Sequence, residues 1–163
     1  MLVLLYSRYV LKEQPNATII ADVKCSSRLF DDIEKHGGKP IMWKTGHSLI
    51  KKKLKKTGSA LAGEMSGHIF FKHRFYGFDD GCYCAARLVE ILSNEDKNIS
   101  AILSDVPKMH ATPEIRVDCD EDKKFTIAEK AKSAFPNNEV STIDGARIEF
   151  ENGWALVLSL IHI

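Results

Sequence analysis

Short apolar runs alternate with amphipathic stretches along the first part of the chain. Three of these runs have the length and composition of buried strands: residues 17–23, 40–43 and 59–64. Two stretches with apolar residues at helical spacing separate them, residues 26–36 and 47–56, and glycines follow each stretch as helix stops. The order strand, helix, strand, helix, strand predicts βαβ crossovers, so the expected fold class is α/β with a parallel or mixed sheet.

Further elements flank this alternation. Residues 2–12 are predicted to form a helix, and residues 68–72 a possible fourth strand. Asp79 and Asp80 are predicted to cap a long helix. The helical spacing places its expected core face at five positions: Cys82, Ala85, Ala86, Val89 and Leu92.

The composition of the chain changes after Leu92, where a polar stretch and two prolines follow. We therefore predict a domain boundary, with an α/β domain over residues 1–110 and an α+β domain over residues 111–163. The elements expected in the second part are one strand, one helix and three more strands, at residues 114–118, 122–135, 140–142, 146–151 and 154 onward. Asn152-Gly153 predicts a hairpin turn between the last two strands.

Neither end of the chain carries the usual boundary signals. The sequence begins inside an apolar helical pattern without a preceding cap residue. It ends in an apolar run from Trp154 to Ile163 without a turn or a polar tail, and an unpaired strand of this kind is prone to aggregate. We therefore expect the second domain to be truncated.

The bulk properties exclude several classes of protein. The 163 residues are 44% hydrophobic and 28% charged with a net charge of +1, which is typical of a soluble globular chain and does not favour nucleic acid or membranes as partners. No stretch reaches the roughly 20 apolar residues that span a bilayer. The four cysteines form no C-x-x-C pair, which argues against a zinc site and is typical of a reducing compartment, so a cytoplasmic location is expected.

The loop at residues 63–68, Gly-Glu-Met-Ser-Gly-His, carries the most informative chemistry. It follows a predicted strand, where open α/β sheets bind ligands. The Glu64 carboxylate can accept hydrogen bonds from neighbouring hydroxyls, Ser66 adds a donor and acceptor, and His68 can contact a phosphate or move a proton. A polar turn with capping side chains would account for the same residues.

Two further residues follow the other predicted strands. Lys24 comes after the first strand and His47 after the second. The carboxyl ends of parallel strands lie at one edge of the sheet, so these residues are expected to lie close together. The N-termini of the following helices lie at the same edge and favour anions, so the pattern indicates a small anionic ligand.

A run of lysines at residues 51–56 forms the single basic cluster of the sequence. A solvated helix face is the usual explanation, and nucleic-acid binding is the alternative. The acidic pairs at residues 31–32 and 79–80 lie near predicted helix starts, where capping and the helix dipole explain them. The spacing Asp-x-Asp-x-Asp occurs at residues 118–122, beside a predicted helix start, where capping and the helix dipole explain it in the same way, so no metal ligands are expected in this chain.

The 63–68 loop resembles that of the bacterial phosphomannomutase/phosphoglucomutase family, the α-D-phosphohexomutases. The resemblance extends over most of the chain through four other segments: residues 22–26, 42–48, 75–81 and 144–154. It implies an enzyme that interconverts hexose 1-phosphates and hexose 6-phosphates of mannose or glucose. Family members have four domains, and this chain resembles the third domain and part of the fourth.

The resemblance also implies roles for individual residues. Glu64 and Ser66 would hold sugar hydroxyls, His68 would be a catalytic acid/base or phosphate contact, and Lys24 and His47 would line the same cleft. The family's phosphoserine and Mg²⁺-binding loops have no counterpart here, so Mg²⁺ is expected only in the full-length enzyme, whose remaining domains would lie upstream. We therefore expect the chain to be inactive alone, and a stand-alone, non-catalytic sugar-phosphate binding module is the alternative.

Overall fold

The computed structural model describes residues 1–159, apart from the side chains of residues 121 and 125. These residues form two compact units, Met1–Lys108 and a second unit that begins at Met109. None of the helices within the described ranges has the length and apolar character that crossing a membrane requires.

The first unit alternates helices and strands along most of its length. Its elements are, in order, α1 (Leu2–Glu13), β1 (Thr18–Asp22), α2 (Ser27–Lys35), β2 (Lys39–Trp43), α3 (His47–Thr57), β3 (Leu61–Gly63), β4 (Ile69–Phe71), α4 (Gly81–Ser93) and α5 (Ile99–Ile102). The α/β class expected from the sequence is confirmed, and each predicted strand and helix of this unit is present, with some bounds shorter.

The four strands form one mixed sheet in the order β2-β1-β3-β4. β1 pairs in parallel with both β2 and β3, and β4 returns antiparallel to β3. Because β1, β2 and β3 run in the same direction, their carboxyl ends meet at one edge of the sheet. The loops that follow these three strands therefore lie side by side.

Helices cover both faces of this sheet. Alternation along β1 sends Ile19 and Ala21 into a cluster with residues of α1 and α2, and Ile20 into a second cluster with Ile50 and Leu54 of α3. At Gly63, the last residue of β3, an added Cβ would lie 2.4 Å from Cγ2 of Val3, so only glycine lets α1 pack this close to the strand.

The face that α4 presents to the core differs from the predicted face. Cys82, Ala85, Ala86 and Val89 are exposed and Leu92 is half-buried, whereas Tyr83, Cys84, Arg87, Leu88 and Ile91 pack inward. The prediction was wrong because Arg87 interrupts the apolar pattern on the true core face. Its guanidinium lies over the Phe71 ring, 4.9 Å from the centroid, with Nε 2.9 Å from Glu90 Oε2. These contacts stabilise the arginine in the core. The large side chains of Tyr83, Leu88 and Ile91 are therefore packed inward, and the small Ala85 and Ala86 are exposed.

The second unit contains α6 (Glu121–Ala134) and an antiparallel sheet of β5 (Val140–Ser141), β6 (Ala146–Phe150) and β7 (Gly153–Val157). β6 and β7 form the hairpin that Asn152-Gly153 predicts. The strand predicted at residues 114–118 is absent: Ile115 and Val117 are 78% and 80% exposed, and this segment pairs with no strand of residues 1–159. The end of the predicted last strand, residues 160–163, lies outside the described residues.

Candidate functional site

Three loops meet at the carboxyl edge of the four-stranded sheet and form the candidate site. They follow β1, β2 and β3 and comprise residues 23–26, 44–46 and 64–68. The five site residues predicted from the sequence all lie in these loops or at the helix start that follows one of them: Lys24, His47, Glu64, Ser66 and His68. The βαβ topology therefore places side chains that are far apart in the sequence at one end of the sheet.

Asp22 joins all three loops, a role that its position in the sequence did not predict. Its side chain is fully buried at the end of β1. Its Oδ1 accepts hydrogen bonds from the Met65 amide at 3.0 Å and from the Cys25 thiol at 3.0 Å. Its Oδ2 accepts a hydrogen bond from Thr45 Oγ1 at 3.1 Å and lies 4.0 Å from Lys24 Nζ. A buried carboxylate with this many donors fixes the relative positions of the loops.

The Cys25 thiol acts as a donor in this arrangement. Burial, and then the nearby Asp22 carboxylate, raises the pKa of the Cys25 thiol far above its usual range. The thiol therefore stays protonated at neutral pH and donates to Asp22. Such a buried, protonated cysteine is unreactive.

Glu64 is buried between the second and third loops, with only 4% of its surface exposed. Its Oε1 accepts a hydrogen bond from the Gly46 amide at 2.6 Å and lies 3.3 Å from Thr45 Oγ1, whose single proton is shared between Glu64 and Asp22. Gly46 has a φ of 118°, a backbone conformation that glycine adopts readily and other residues rarely adopt. In this conformation its N–H points at the Glu64 carboxylate. The other carboxylate oxygen, Oε2, is buried without a hydrogen-bond partner among the described residues.

A tight turn carries the rest of the third loop. The Glu64 amide donates to the His68 carbonyl at 2.9 Å, and the Gly67 amide donates to the Glu64 carbonyl at 3.0 Å. Met65, Ser66 and His68 are exposed on this turn. The turn thus fixes the backbone while it leaves the Ser66 hydroxyl and the His68 ring accessible to a ligand.

His68 is held by a residue for which the sequence suggested a different role. Its Nδ1 lies 2.6 Å from Oδ2 of Asp79, and its ring centroid is 5.8 Å from that of His47. Asp79 and Asp80 were both predicted as helix caps, but only Asp80 caps α4, accepting from the Tyr83 amide at 2.8 Å. Asp79 instead forms a β-bridge with Phe70 next to the turn, which directs its carboxylate to His68.

The two cationic or titratable residues of the other loops lie close by. The Lys24 side chain is 21% exposed, with its ammonium group near Asp22. His47 is the first residue of α3 and is exposed beside His68. The Gly46 amide at the N-terminus of α3 already donates to Glu64, so Lys24 and His47 are the groups of these two loops that favour a ligand with negative charge.

The lysine run lies on α3, outside the three loops. Four of its lysines are exposed, and Lys53 packs its ammonium group over the Trp43 ring at 3.7 Å from the centroid. This packing stabilises the helix surface by a cation–π contact. Nucleic-acid binding by this helix stays an untested alternative.

The residues present do not fit a metal ion. Among the described residues there is no group of three or more His, Cys, Asp or Glu side chains that could hold one. The carboxylates of the site are engaged instead with amides, hydroxyls, a thiol and histidine, as the contacts of Asp22, Glu64 and Asp79 show. We derive no reaction step through a metal at this site.

Comparisons with known proteins agree with this architecture. Residues 1–110 match the family model described as phosphoglucomutase/phosphomannomutase, alpha/beta/alpha domain III. A Pseudomonas putida phosphomannomutase/phosphoglucomutase is 51% identical over 158 residues, covering 96% of this chain and 34% of the relative. A phosphoglucomutase of Neisseria gonorrhoeae is 47% identical over 158 residues, covering 94% of this chain and 34% of the relative.

A solved structure shows the same arrangement. The crystal structure of a phosphoglucomutase/phosphomannomutase family protein from Burkholderia thailandensis superposes with a TM-score of 0.87 at 45% identity, covering 98% of this chain and 34% of that one. The chain thus spans about a third of the length of the relatives that it matches. Since the family model covers residues 1–110, well over half of the chain, the protein belongs to the phosphoglucomutase/phosphomannomutase family.

Proposed function

We propose that this chain is the sugar-recognising part of a phosphohexomutase, an isomerase that interconverts hexose 1-phosphates and hexose 6-phosphates of mannose or glucose. The relatives' names support this reaction, and the chain corresponds to about a third of their length. In this proposal the chain binds the sugar phosphate, while phosphoryl transfer needs parts of the enzyme outside it. The chain alone is therefore inactive.

The observation that carries the proposal is the unpartnered Oε2 of Glu64. A buried carboxylate oxygen without a donor costs free energy, because water no longer solvates it. A sugar hydroxyl that donates to Oε2 would remove this cost, and because Oε2 is buried, the side chains around it would have to shift when the sugar binds. Since Oε1 is already occupied by Gly46 and Thr45, we propose that Oε2 holds the sugar and Oε1 holds the loops.

The neighbouring residues suit the remaining groups of a sugar phosphate. Ser66 can donate to or accept from a second hydroxyl. His68 would accept a proton from the sugar hydroxyl that attacks a phosphoryl group, and in the opposite transfer would give a proton to the sugar oxygen from which the phosphoryl group leaves. Lys24 and His47 would contact phosphate oxygens or hydroxyls at the same edge.

Other parts of the enzyme complete the proposal. We propose that Mg²⁺ is bound by a part of the longer enzyme that is outside this chain, where it would stabilise charge on the transferred phosphoryl group. We also propose a cytoplasmic location. A stand-alone binding module, the alternative, would use the same Glu64 contact without turnover.

The activity is tested in a chimera. The matching third of the P. putida phosphomannomutase/phosphoglucomutase is replaced by this chain, and conversion of glucose 1-phosphate and mannose 1-phosphate is measured. We expect the chimera to turn over both sugars and Glu64→Gln to lower kcat/KM by at least about tenfold, the value of one charged hydrogen bond. The 163-residue chain alone should show no turnover.

A matched variant separates the role of Glu64 from a general loss of charge. Glu34→Gln removes the same charge from an exposed position on α2 and should leave kcat/KM unchanged. Equal losses in both variants, or a folded chimera that binds neither sugar, would contradict the proposal. Turnover by the isolated chain would refute its claim of inactivity.

A further inference from the structure

We propose that Asp79 is a positioning residue for His68, which holds the imidazole in the Nδ1–H tautomer and leaves Nε2 as the atom that exchanges protons with the sugar. The proton exchange with the sugar rests on the proposed function, whereas the contact between Asp79 and His68 does not depend on that function. The short contact between His68 Nδ1 and Asp79 Oδ2, at 2.6 Å, is the observation behind it.

The contact has a defined direction. An ionised carboxylate only accepts hydrogen bonds, so His68 Nδ1 must carry the proton that Asp79 accepts. In a neutral imidazole only one nitrogen carries hydrogen, and Nε2 is then the basic atom with a lone pair. Asp79 thereby selects which nitrogen of His68 can take up a proton.

The backbone around Asp79 is fixed, as a positioning residue requires. Asp79 is bridged to Phe70, a fully buried residue of β4, and Asp80 next to it caps α4. On the other side, the His68 carbonyl accepts from the Glu64 amide. Both partners of the pair are thus anchored to regular structure, although their side chains are 46% and 34% exposed.

The proton balance of the step is simple. Nε2 of His68 takes the proton from the attacking sugar hydroxyl, and the ring becomes an imidazolium with a proton on each nitrogen. The sugar oxygen forms its bond to phosphorus while the bond from phosphorus to the oxygen of the phosphoryl donor, a phosphoserine outside this chain, breaks. The Asp79 carboxylate stabilises the imidazolium and remains ionised. When the phosphoryl group passes from a sugar oxygen back to that serine, Nε2 gives the proton to the sugar oxygen that leaves. Two titratable side chains face the His68 ring. One is the ring of His47, and the other is the carboxylate of Asp79.

The tautomer can be read in the free chain by NMR. Long-range ¹H–¹⁵N spectra of the full 163-residue chain, recorded at about pH 8.5, where an ordinary histidine with a pKa of about 6.5 is neutral, distinguish Nδ1–H from Nε2–H. His68→Gln assigns the signals of His68 among the six histidines. We expect the Nδ1–H form to dominate at His68 and to become the minor form in Asp79→Ala.

Asp80→Asn is the matched control, because it removes the neighbouring charge while the asparagine still caps α4. It should leave the His68 tautomer unchanged. A dominant Nε2–H form in the unmodified chain overturns the inference without any variant, and an unchanged tautomer in a folded Asp79→Ala overturns it as well. Titration of the same sample with glucose 1-phosphate tests the proposed function separately, since a chain that fails to bind sugar still reports the tautomer.

Discussion

The Asp22 carboxylate accepts a hydrogen bond from the Met65 amide at 3.0 Å, although the two residues are 43 positions apart in the sequence. This bond ties the end of β1 to the loop that follows β3. Asp22 also accepts from Thr45 in the loop after β2, so one buried carboxylate holds the three loops of the candidate site. The geometry of the site therefore depends on a residue that lies beneath it.

Replacing Asp22 by alanine should strongly destabilise the first unit. The Met65 amide would lose its buried acceptor, at a cost of about 1–3 kcal/mol for a donor left without a partner. The Thr45 hydroxyl would keep Glu64 Oε1, 3.3 Å away, as an acceptor. Urea unfolding followed by circular dichroism measures the change. Asp31→Asn, on the exposed face of α2, should change the free energy of unfolding by less than about 0.5 kcal/mol, and an equally small effect of Asp22→Ala would contradict the role of Asp22.

Gly63→Ala should destabilise the protein through a single steric contact. The added Cβ would meet Val3 Cγ2 at 2.4 Å, and overpacking of this kind costs about 1–3 kcal/mol. Thermal or urea unfolding measures the loss. The second substitution Val3→Ala should recover part of it, so the double variant should lose less than the sum of the two single variants.

The control for this prediction is Gly81→Ala at the start of α4, where an added Cβ meets no atom within 4 Å. Alanine is the better helix former, so this variant should be neutral or slightly stabilising. If both alanine variants behaved alike, the close approach of α1 to β3 would not be the reason for Gly63.

A buried ion pair between α1 and α2 should matter for stability alone. Arg8 pairs with Asp32 at 2.6 Å, where both side chains are 10% exposed, and with Asp105 at 2.9 Å. Arg8→Ala should cost about 3–5 kcal/mol, because the buried Asp32 carboxylate loses its arginine and keeps only His36, 3.5 Å away. Asp105→Asn should cost at most about 1 kcal/mol, because Asp105 is half-exposed. Urea unfolding measures both losses of stability. If Arg8→Ala and Asp105→Asn lowered the free energy of unfolding equally, burial of the ion pair would not determine its contribution.

His73 should make stability depend on pH. Burial lowers the pKa of His73, although Glu13, 3.3 Å away, opposes the shift. The unfolded chain therefore binds a proton near the ordinary pKa of about 6.5 while the folded protein stays neutral, so stability falls as the pH falls through that value towards the folded pKa. One such group contributes a slope below about 1.4 kcal/mol per pH unit.

This slope is measured by urea unfolding at a series of pH values in the unmodified chain and in His73→Gln. The variant should have the shallower slope between neutral pH and mildly acidic pH, whatever its absolute stability. His110→Gln removes an exposed histidine of the second unit and serves as the comparison. A steeper dependence of stability on pH in His73→Gln than in the unmodified chain would contradict the lowered pKa of His73.

The succession of strands and helices was predictable because local patterns determine it. Short β-branched runs and glycine stops located β1, α2 and α3 to within a few residues. The inward face of α4 was not predictable, since apolar residues occupy two faces of that helix. The face with Tyr83 and Ile91 is the one that packs on the core. Arg87 lies on that face, and its contact with the Phe71 ring is visible only in the folded structure.

The candidate site was predictable in part for a related reason. Glycines and polar side chains after each strand indicated the loops, because their chemistry is local. The roles of Asp22 and Asp79 depend on partners 43 and 11 residues away, which periodicity does not reveal. An acidic residue at the end of a buried strand was the available signal for Asp22, and nothing local distinguished Asp79 from Asp80.

The central claim is that the unpartnered oxygen of Glu64 binds a sugar phosphate, and amide NMR of the chain titrated with glucose 1-phosphate tests it most directly. We predict saturable shifts of the Gly46, Met65 and Ser66 amides, and an affinity at least about tenfold weaker in Glu64→Gln than in Glu34→Gln. Absence of shifts at millimolar ligand, or shifts confined to the lysine face of α3 and unaffected by Glu64→Gln, would contradict the account.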